Sequence, residues 1–218
     1  ENKKFWKFCN QAGNKVELLL YGDISQTSWW GDEVTPKQFA EELAGLGALD
    51  EITVRINSGG GDVFAAQAIG NQLEQHPAAV TAKIDGLCAS AATIVACHCG
   101  KVIAATDSTY MVHPVRMGAY GYYNAEELQK YIEAMNAIRE SIVGLYVKKT
   151  GRDKDEVAGW MDETSWWTAA QAKENGFIDE LTDEADGAVI ENRDGLLFVN
   201  SVNTHLPFDK APTFMQNS

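Results

Sequence analysis

Between residues 51 and 105, short runs of β-branched residues alternate with segments of helical spacing. "EITVRI" predicts a strand at 51–56, and the glycine-rich break "NSGGGD" separates it from a helical segment, "VFAAQAIGNQLEQH". "AVTAKID" predicts a strand at 79–85, before a helix that ends near Cys99, and "KVIAA" predicts another strand at 101–105. Strands and helices that alternate with short connections predict an α/β fold, in which helices cover a parallel sheet.

Weaker signals extend this alternation towards both ends of the chain. Asn124 and Glu127 are spaced as a capping box at the start of a long amphipathic helix. The further predicted strands are 16–24 and 110–113, and the further predicted helices are 36–47, 125–150, 153–161 and 168–176. After "FIDEL" the chain becomes acidic and loses periodicity, so we expect one domain over residues 1–182 and a loosely ordered acidic tail over residues 183–218.

The formal charge of the chain is strongly negative. There are 18 lysines and arginines against 31 aspartates and glutamates, which gives a net charge of −13 at pH 7. Such a surface repels the phosphates of nucleic acids and of anionic membranes, so neither is expected as a partner. No apolar run approaches the length of a bilayer span, and the first residues, "ENKKFWKFCN", lack the apolar segment of a signal peptide.

The four cysteines predict a reduced, structural role. Cys88 and Cys97 lie in apolar sequence, and a domain of this size does not need disulfides for its stability. "CHC" at residues 97–99 has metal-binding residue types, but helical neighbours at i and i+2 point in different directions and no second ligand pair follows. We therefore expect no metal, and a reducing compartment such as the cytoplasm.

Ser90, in "IDGLCASAATIVACHCG", has two interpretations: a small filler on a buried helix, or a nucleophile at a strand-to-helix junction. A serine nucleophile needs a base, a group that orients the base, and donors for the oxyanion. Of the four histidines, His113 ends the strand "YMVH" at the edge of the sheet where Ser90 also lies, so it is the favoured base. His98 is about 12 Å along the helix from Ser90, which is too far for a hydrogen bond. The other two histidines lie in a loop and in the tail.

The three glycines of "NSGGGD" allow backbone amides to approach a ligand closely. The loop could be a plain tight turn, a phosphate loop or an oxyanion loop whose amides act with that of Ala91. A phosphate loop is disfavoured because no Lys-Ser/Thr pair follows and Asp62 would repel the phosphate.

These motifs together resemble the ClpP-type serine proteases, and most closely those encoded by phages and prophages, which are associated with head maturation. The resemblance rests on "YGDI", "ITVRINSGGGDVFAAQAI", "AKIDGLCASAATIVA", "YMVHPV" and "WWTAAQAKENGFIDEL", in this order and spacing, over roughly residues 16–181. It implies a ClpP/crotonase-like spiral of βαβ units over residues 1–182. It also implies a handle at about 114–150, made of a strand, a turn and a long helix.

The resemblance also implies roles for individual residues. Ser90 would be the nucleophile and His113 the general base. The amides of Gly61 and Ala91 would form the oxyanion hole, with Gly60 shaping the loop. No cofactor or metal is implied.

The position of the triad acid is where the sequence departs from the family pattern. Counting back from Trp166, the acid's position falls on Thr164, which has no carboxylate. Asp162 is the favoured substitute and Glu163 the alternate, or no acid is present. Without one, the wrong histidine tautomer would be favoured and activity would fall by orders of magnitude.

The expected protein is a serine endopeptidase inside a ring-like homo-oligomer in the cytoplasm of a bacterial host. It would act on peptides or unfolded proteins, such as phage head or scaffold proteins. An unfoldase partner cannot be carried over from the family. The alternatives are a catalytically degenerate assembly protein and a crotonase-type acyl-CoA enzyme, although no basic cluster for a CoA phosphate is evident. In each of the doublets Trp29-Trp30 and Trp166-Trp167, one ring is expected to be exposed or to lie at an interface.

Overall fold

The computed structural model describes residues 4–25 and 36–182, together with the backbone of three later strands. Trp29-Trp30 lies outside the described residues. The chain divides into two compact units, Glu1–Leu181 and Thr182–Ser218. The strands of the first unit are β1 (Trp6–Ala12), β2 (Lys15–Tyr21), β3 (Glu51–Ser58), β4 (Ala79–Ala89), β5 (Lys101–Ala105), β6 (Thr109–Val112), β7 (Ser165–Thr168) and β8 (Glu180–Thr182). Its helices are α1 (Pro36–Gly45), α2 (Val63–Gln75), α3 (Ala91–His98), α4 (Ala125–Thr150), α5 (Lys154–Asp162) and α6 (Ala169–Glu174).

The sheet confirms the predicted α/β class. Its order is β1-β2-β3-β4-β5-β8, with β6 and β7 branching from β4. Strands β2 to β6 pair in parallel, while β1 and β7 pair antiparallel with their neighbours. Thr81–Ile84 of β4 pair with β5, and Leu87–Ala89 pair with β6. The carboxyl ends of β4 and β6 therefore lie side by side.

One face of the central strands forms the core with the helices. Alternate residues of β2 and β3 are fully buried, among them Leu18, Leu20, Val54 and Ile56. Helix α3 is buried over its first seven residues because its small side chains allow close packing on every side. This burial explains why the helix that follows Ser90 is rich in alanine.

The element bounds largely follow the sequence pattern. Strand β5 and helix α4 match the predicted 101–105 and 125–150, and the capping box of Asn124 and Glu127 is present. Strand β4 instead continues to Ala89, beyond the predicted end at residue 85, because β6 pairs with this extension. Strand β1 was not predicted.

The two ends of the handle differ in how far their apolar side chains are buried. The inner end of α4 buries Ile142, Val143 and Tyr146 in the core. The outer segment exposes several large apolar side chains, namely Met117, Tyr120, Tyr122, Leu128 and Ile132. The handle strand expected between His113 and α4 is absent from this single chain, where residues 113–124 form no strand. An edge strand there would need a pairing partner.

The second unit contains β9 (Ile190–Arg193), β10 (Leu196–Val199) and β11 (Val202–Pro207), which pair antiparallel in the order β11-β10-β9. A loosely ordered acidic tail is the expectation for residues 183–218, and these three strands lie within that range. Among the described helices, none is both long and apolar enough to cross a membrane.

Candidate active site

The turn at Ser90 joins β4 to α3. Ser90 has φ 55° and ψ −127°, a backbone conformation that is strained for any residue with a side chain. Its amide donates to Met111 O on β6 at 2.9 Å, which fixes the turn against the neighbouring strand. Such a conformation costs on the order of 1–3 kcal/mol, and it persists only where the surroundings determine it.

Ser90 and His113 form a hydrogen-bonded pair. His113 follows β6, and its Nε2 lies 2.7 Å from Ser90 Oγ. The other ring nitrogen, Nδ1, lies 2.6 Å from the carbonyl oxygen of Pro114. Because a carbonyl oxygen only accepts, Nδ1 carries the proton and Nε2 accepts from the serine hydroxyl. The structure therefore brings together the two residues that the sequence paired, in the tautomer that a general base needs.

The glycine loop packs directly against the Ser90 turn. A Cβ on Gly60 would lie 2.6 Å from Ser90 Cβ and 2.7 Å from Ala91 N, and the φ of Gly60 is +96°. A Cβ on Gly61, at φ +139°, would lie 2.0 Å from Ile24 O. Only glycine fits at these two positions.

Hydrogen bonds hold this loop on both sides. Ile24 N donates to Gly60 O at 2.8 Å, and Asp62 N donates to Ile24 O at 2.8 Å. Ser58 is buried, and its hydroxyl donates to Gly22 O while accepting from Gly60 N. Sequence reasoning did not identify Ser58 as a loop-positioning residue, although it stands in the motif "NSGGGD".

A cavity of about 280 Å³ opens beside the Ser90–His113 pair. Gly61 and Ala91, the expected oxyanion residues, line it together with the pair. No intramolecular acceptor is described for the amides of Gly61 and Ala91 in the parts of the chain that the structure describes. The remaining lining is mainly apolar, from Val63, Ile94, Pro114, Val115, Ile142 and Met161, with Arg116 and Tyr146 as further polar groups.

A buried chain of hydroxyls supports the Ser90 turn from behind. Thr93 Oγ1 donates to Ser90 O at 2.6 Å, so the Tyr146 hydroxyl, 2.6 Å from Thr93 Oγ1, is the donor in their contact. Burial raises the pKa of Tyr146, which keeps its hydroxyl protonated. Helix α4 is thereby tied to the turn across 53 positions of sequence, a link that no local motif indicates.

The structure does not bring Asp162 to His113. The Asp162 carboxylate accepts from Arg139 Nη2 at 2.7 Å and from Arg139 Nε at 3.1 Å. Glu163 caps α5 through its backbone and is exposed. Thr164 has φ +58° and follows the end of that helix. Among the described residues, none of the three hydrogen-bonds to His113, whose two ring nitrogens both have other partners, and the role of Asp162 as the triad acid stays a prediction.

The cysteines are free and mostly buried. Burial raises the pKa of Cys97 and of Cys99 to about 12, which favours the thiol form of both side chains. No cluster of three metal-ligating side chains occurs among the described residues. Of the second tryptophan doublet, Trp166 is exposed, whereas Trp167 packs against Trp160 and other rings of the core.

Comparison with known proteins places this arrangement among the Clp proteases. The sequence profile of the Clp protease family matches residues 24–185. The "ATP-dependent Clp protease proteolytic subunit 1" of Chlamydia abortus is 28% identical over 181 residues, which cover 78% of this chain and 94% of that protein. The "ATP-dependent Clp protease proteolytic subunit 3" of Rhodococcus jostii is 28% identical over 75% of this chain and 79% of its own length. A solved structure of a ClpP1 mutant from Listeria monocytogenes shares the fold, with a TM-score of 0.65, 24% identity, and coverage of 78% of this chain and 93% of that chain.

Proposed function

Because the chain belongs to the Clp protease family, we propose that it is a serine endopeptidase with Ser90 as nucleophile and His113 as general base. The observation that carries the proposal is the 2.7 Å hydrogen bond from Ser90 Oγ to His113 Nε2, in the tautomer set by Pro114 O. The strained Ser90 turn and the adjoining cavity support it.

The chemistry follows from these groups. Ser90 Oγ attacks the peptide carbonyl carbon while His113 Nε2 takes its proton. The negative charge that develops on the carbonyl oxygen is stabilised by the amides of Gly61 and Ala91, the latter at the N-terminus of α3. The imidazolium then protonates the leaving amine, and a water molecule activated by His113 hydrolyses the acyl-enzyme. No step in this sequence consumes a nucleotide, so the peptidase chemistry itself is independent of ATP.

The substrates we propose are peptides and unfolded proteins. An extended backbone can present one carbonyl group to Ser90, and the apolar lining of the cavity suits an apolar side chain next to it. From the sequence resemblance, we propose phage head or scaffold proteins as the physiological substrates and the cytoplasm of a bacterial host as the compartment. The curated relatives are named as subunits of ATP-dependent proteases, so an unfoldase would be a separate partner.

We also propose a ring-like homo-oligomer assembled through the handle. The large apolar side chains of its outer segment are exposed in the single chain, where a second copy could cover them. The segment between His113 and α4 forms no strand in the single chain, and we propose that part of it adds a strand to a neighbouring chain.

One observation favours a second candidate function. Because no carboxylate contacts His113 in the described part of the chain, the protein could be a catalytically inactive assembly protein. The two candidates differ in whether Ser90 reacts as a nucleophile.

Labelling with a fluorophosphonate probe, measured by intact mass, separates the two candidates. We expect one adduct on the native protein, none on Ser90→Ala, and labelling of His113→Ala slowed by a factor of about 10³ or more. His98→Gln is the matched control and should label at the native rate, since His98 bonds to Glu74 instead of the serine. A folded oligomer that takes up no label would refute the peptidase and favour the assembly protein. Turnover of an acyl-CoA thioester without peptide cleavage would point to a crotonase-type enzyme.

A further inference from the structure

A backbone carbonyl, instead of a carboxylate, holds His113 in place. The Pro114 oxygen lies 2.6 Å from Nδ1, which is a short distance for a hydrogen bond between neutral groups. Proline fixes its own φ and restricts the residue before it to extended conformations, so the local sequence limits the backbone torsions between His113 and the Pro114 carbonyl.

Asp162, the favoured candidate acid, has a partner elsewhere. Both oxygens of Asp162 accept from the Arg139 guanidinium, in a bidentate and charge-assisted pair. The Asp162 hydrogen bond raises the pKa of Arg139, and Arg139 also contacts Glu140 at 3.3 Å. If Asp162 moved to His113, it would leave Arg139 without its stronger partner.

We propose that the Pro114 carbonyl is the group that orients His113 in the working enzyme, which makes the site a serine–histidine–carbonyl arrangement. This inference rests on the proposed peptidase function. The carbonyl dipole selects the Nδ1–H tautomer, as a carboxylate would. A neutral acceptor stabilises the imidazolium less than a carboxylate does, so catalysis gains from the tautomer but not from a full negative charge.

The first test removes the candidate acids from the full, assembled chain. Asp162→Asn, Glu163→Gln and Thr164→Val should each keep the rates of fluorophosphonate labelling and of peptide hydrolysis within about threefold of native. Arg139→Gln is the matched control for Asp162→Asn, because it breaks the same ion pair and keeps the carboxylate. A loss approaching about 10⁴ in Asp162→Asn but not in Arg139→Gln would overturn the proposal, since Asp162 would then be the acid.

The second test weakens the carbonyl itself. Replacing Val115 with its α-hydroxy acid turns the Pro114–Val115 amide into an ester, whose carbonyl is a poorer acceptor, and no hydrogen bond from the Val115 amide is described. We expect kcat to fall at least about tenfold with KM unchanged. The nitrogen-15 signals of the His113 ring should also shift from the Nδ1–H tautomer towards a mixture. The same exchange at Met117 is the control and should change neither.

These readouts separate failure of this inference from failure of the proposed function. If Ser90 never labels but the His113 ring signals still respond to the Val115 ester, the peptidase is refuted while the carbonyl contact stands. If Ser90 labels normally and the ester changes neither kcat nor the ring signals, the carbonyl role is refuted and the peptidase stands.

Discussion

The oxyanion loop (residues 58–61) and the outer handle (residues 114–137) both adjoin the cavity, but they are held in opposite ways. The loop is fixed by positive-φ glycines in close contact with the Ser90 turn and by the buried Ser58 hydroxyl. The outer handle has mainly local contacts, such as the edge-to-face packing of Tyr123 on Tyr131. The Ser90–His113 pair is thus positioned by contacts within one chain, whereas the outer handle would be positioned by other chains in the proposed oligomer. Chemistry and assembly should then respond to different mutations.

The largest expected effect comes from a single methyl group in the oxyanion loop. Gly60→Ala places a Cβ within 2.7 Å of backbone atoms at a φ of +96°, so we expect the free energy of unfolding to fall by about 3 kcal/mol or more. Gly59→Ala is the matched control, because nothing lies within 4 Å of its Cβ. Urea unfolding of both variants measures the difference. Equal losses would mean that the loop is no more constrained than a surface turn.

An intermediate effect is expected where α4 meets the Ser90 turn. Tyr146→Phe leaves Thr93 Oγ1 without its donor, and we expect a loss of about 1–2 kcal/mol in unfolding free energy. Tyr110→Phe is the control: its ring is equally buried, but its hydroxyl makes only a 3.7 Å contact with Cys97 Sγ, so its loss should be smaller. If Tyr110→Phe lost more unfolding free energy than Tyr146→Phe, the chain of hydroxyls would contribute nothing to the stability of the turn.

The smallest effect on the chain itself is expected in the outer handle. Tyr122→Ser removes a fully exposed ring, so the free energy of unfolding of the single chain should change by no more than about 0.5 kcal/mol. The protein concentration below which the oligomer dissociates should instead rise, as measured by analytical ultracentrifugation. Gln129→Ser, on α4 within the same outer handle, is the control for a polar exposed position. If Tyr122→Ser left the oligomer unchanged but destabilised the single chain, the outer handle would be held by contacts within the chain, contrary to the comparison drawn above.

The parts of the site that local sequence could predict are those set by neighbouring residues. Ser90 and His113 stand out because one lies at a strand-to-helix junction and the other ends a predicted strand, and the family resemblance then implies their roles. The glycines stand out because they let backbone amides approach a ligand closely. The partner of Asp162 is Arg139, which lies 23 positions away in the sequence. Tyr146, which supports the Ser90 turn, lies 53 positions from its partner Thr93. No short-range pattern encodes which of several acceptors a side chain meets in the folded protein.

Strand β4 lies at the centre of the sheet and also leads into the catalytic turn. Its first half pairs with β3 and β5, and its last residues, before Ser90, pair with β6, which leads to His113. A local fluctuation that separated the backbone of Ser90 from that of His113 would have to break this pairing within the core. Amide hydrogen exchange at Cys88 and Ala89 should therefore be among the slowest in the domain, and the backbone geometry that presents Ser90 should persist for as long as the folded domain does.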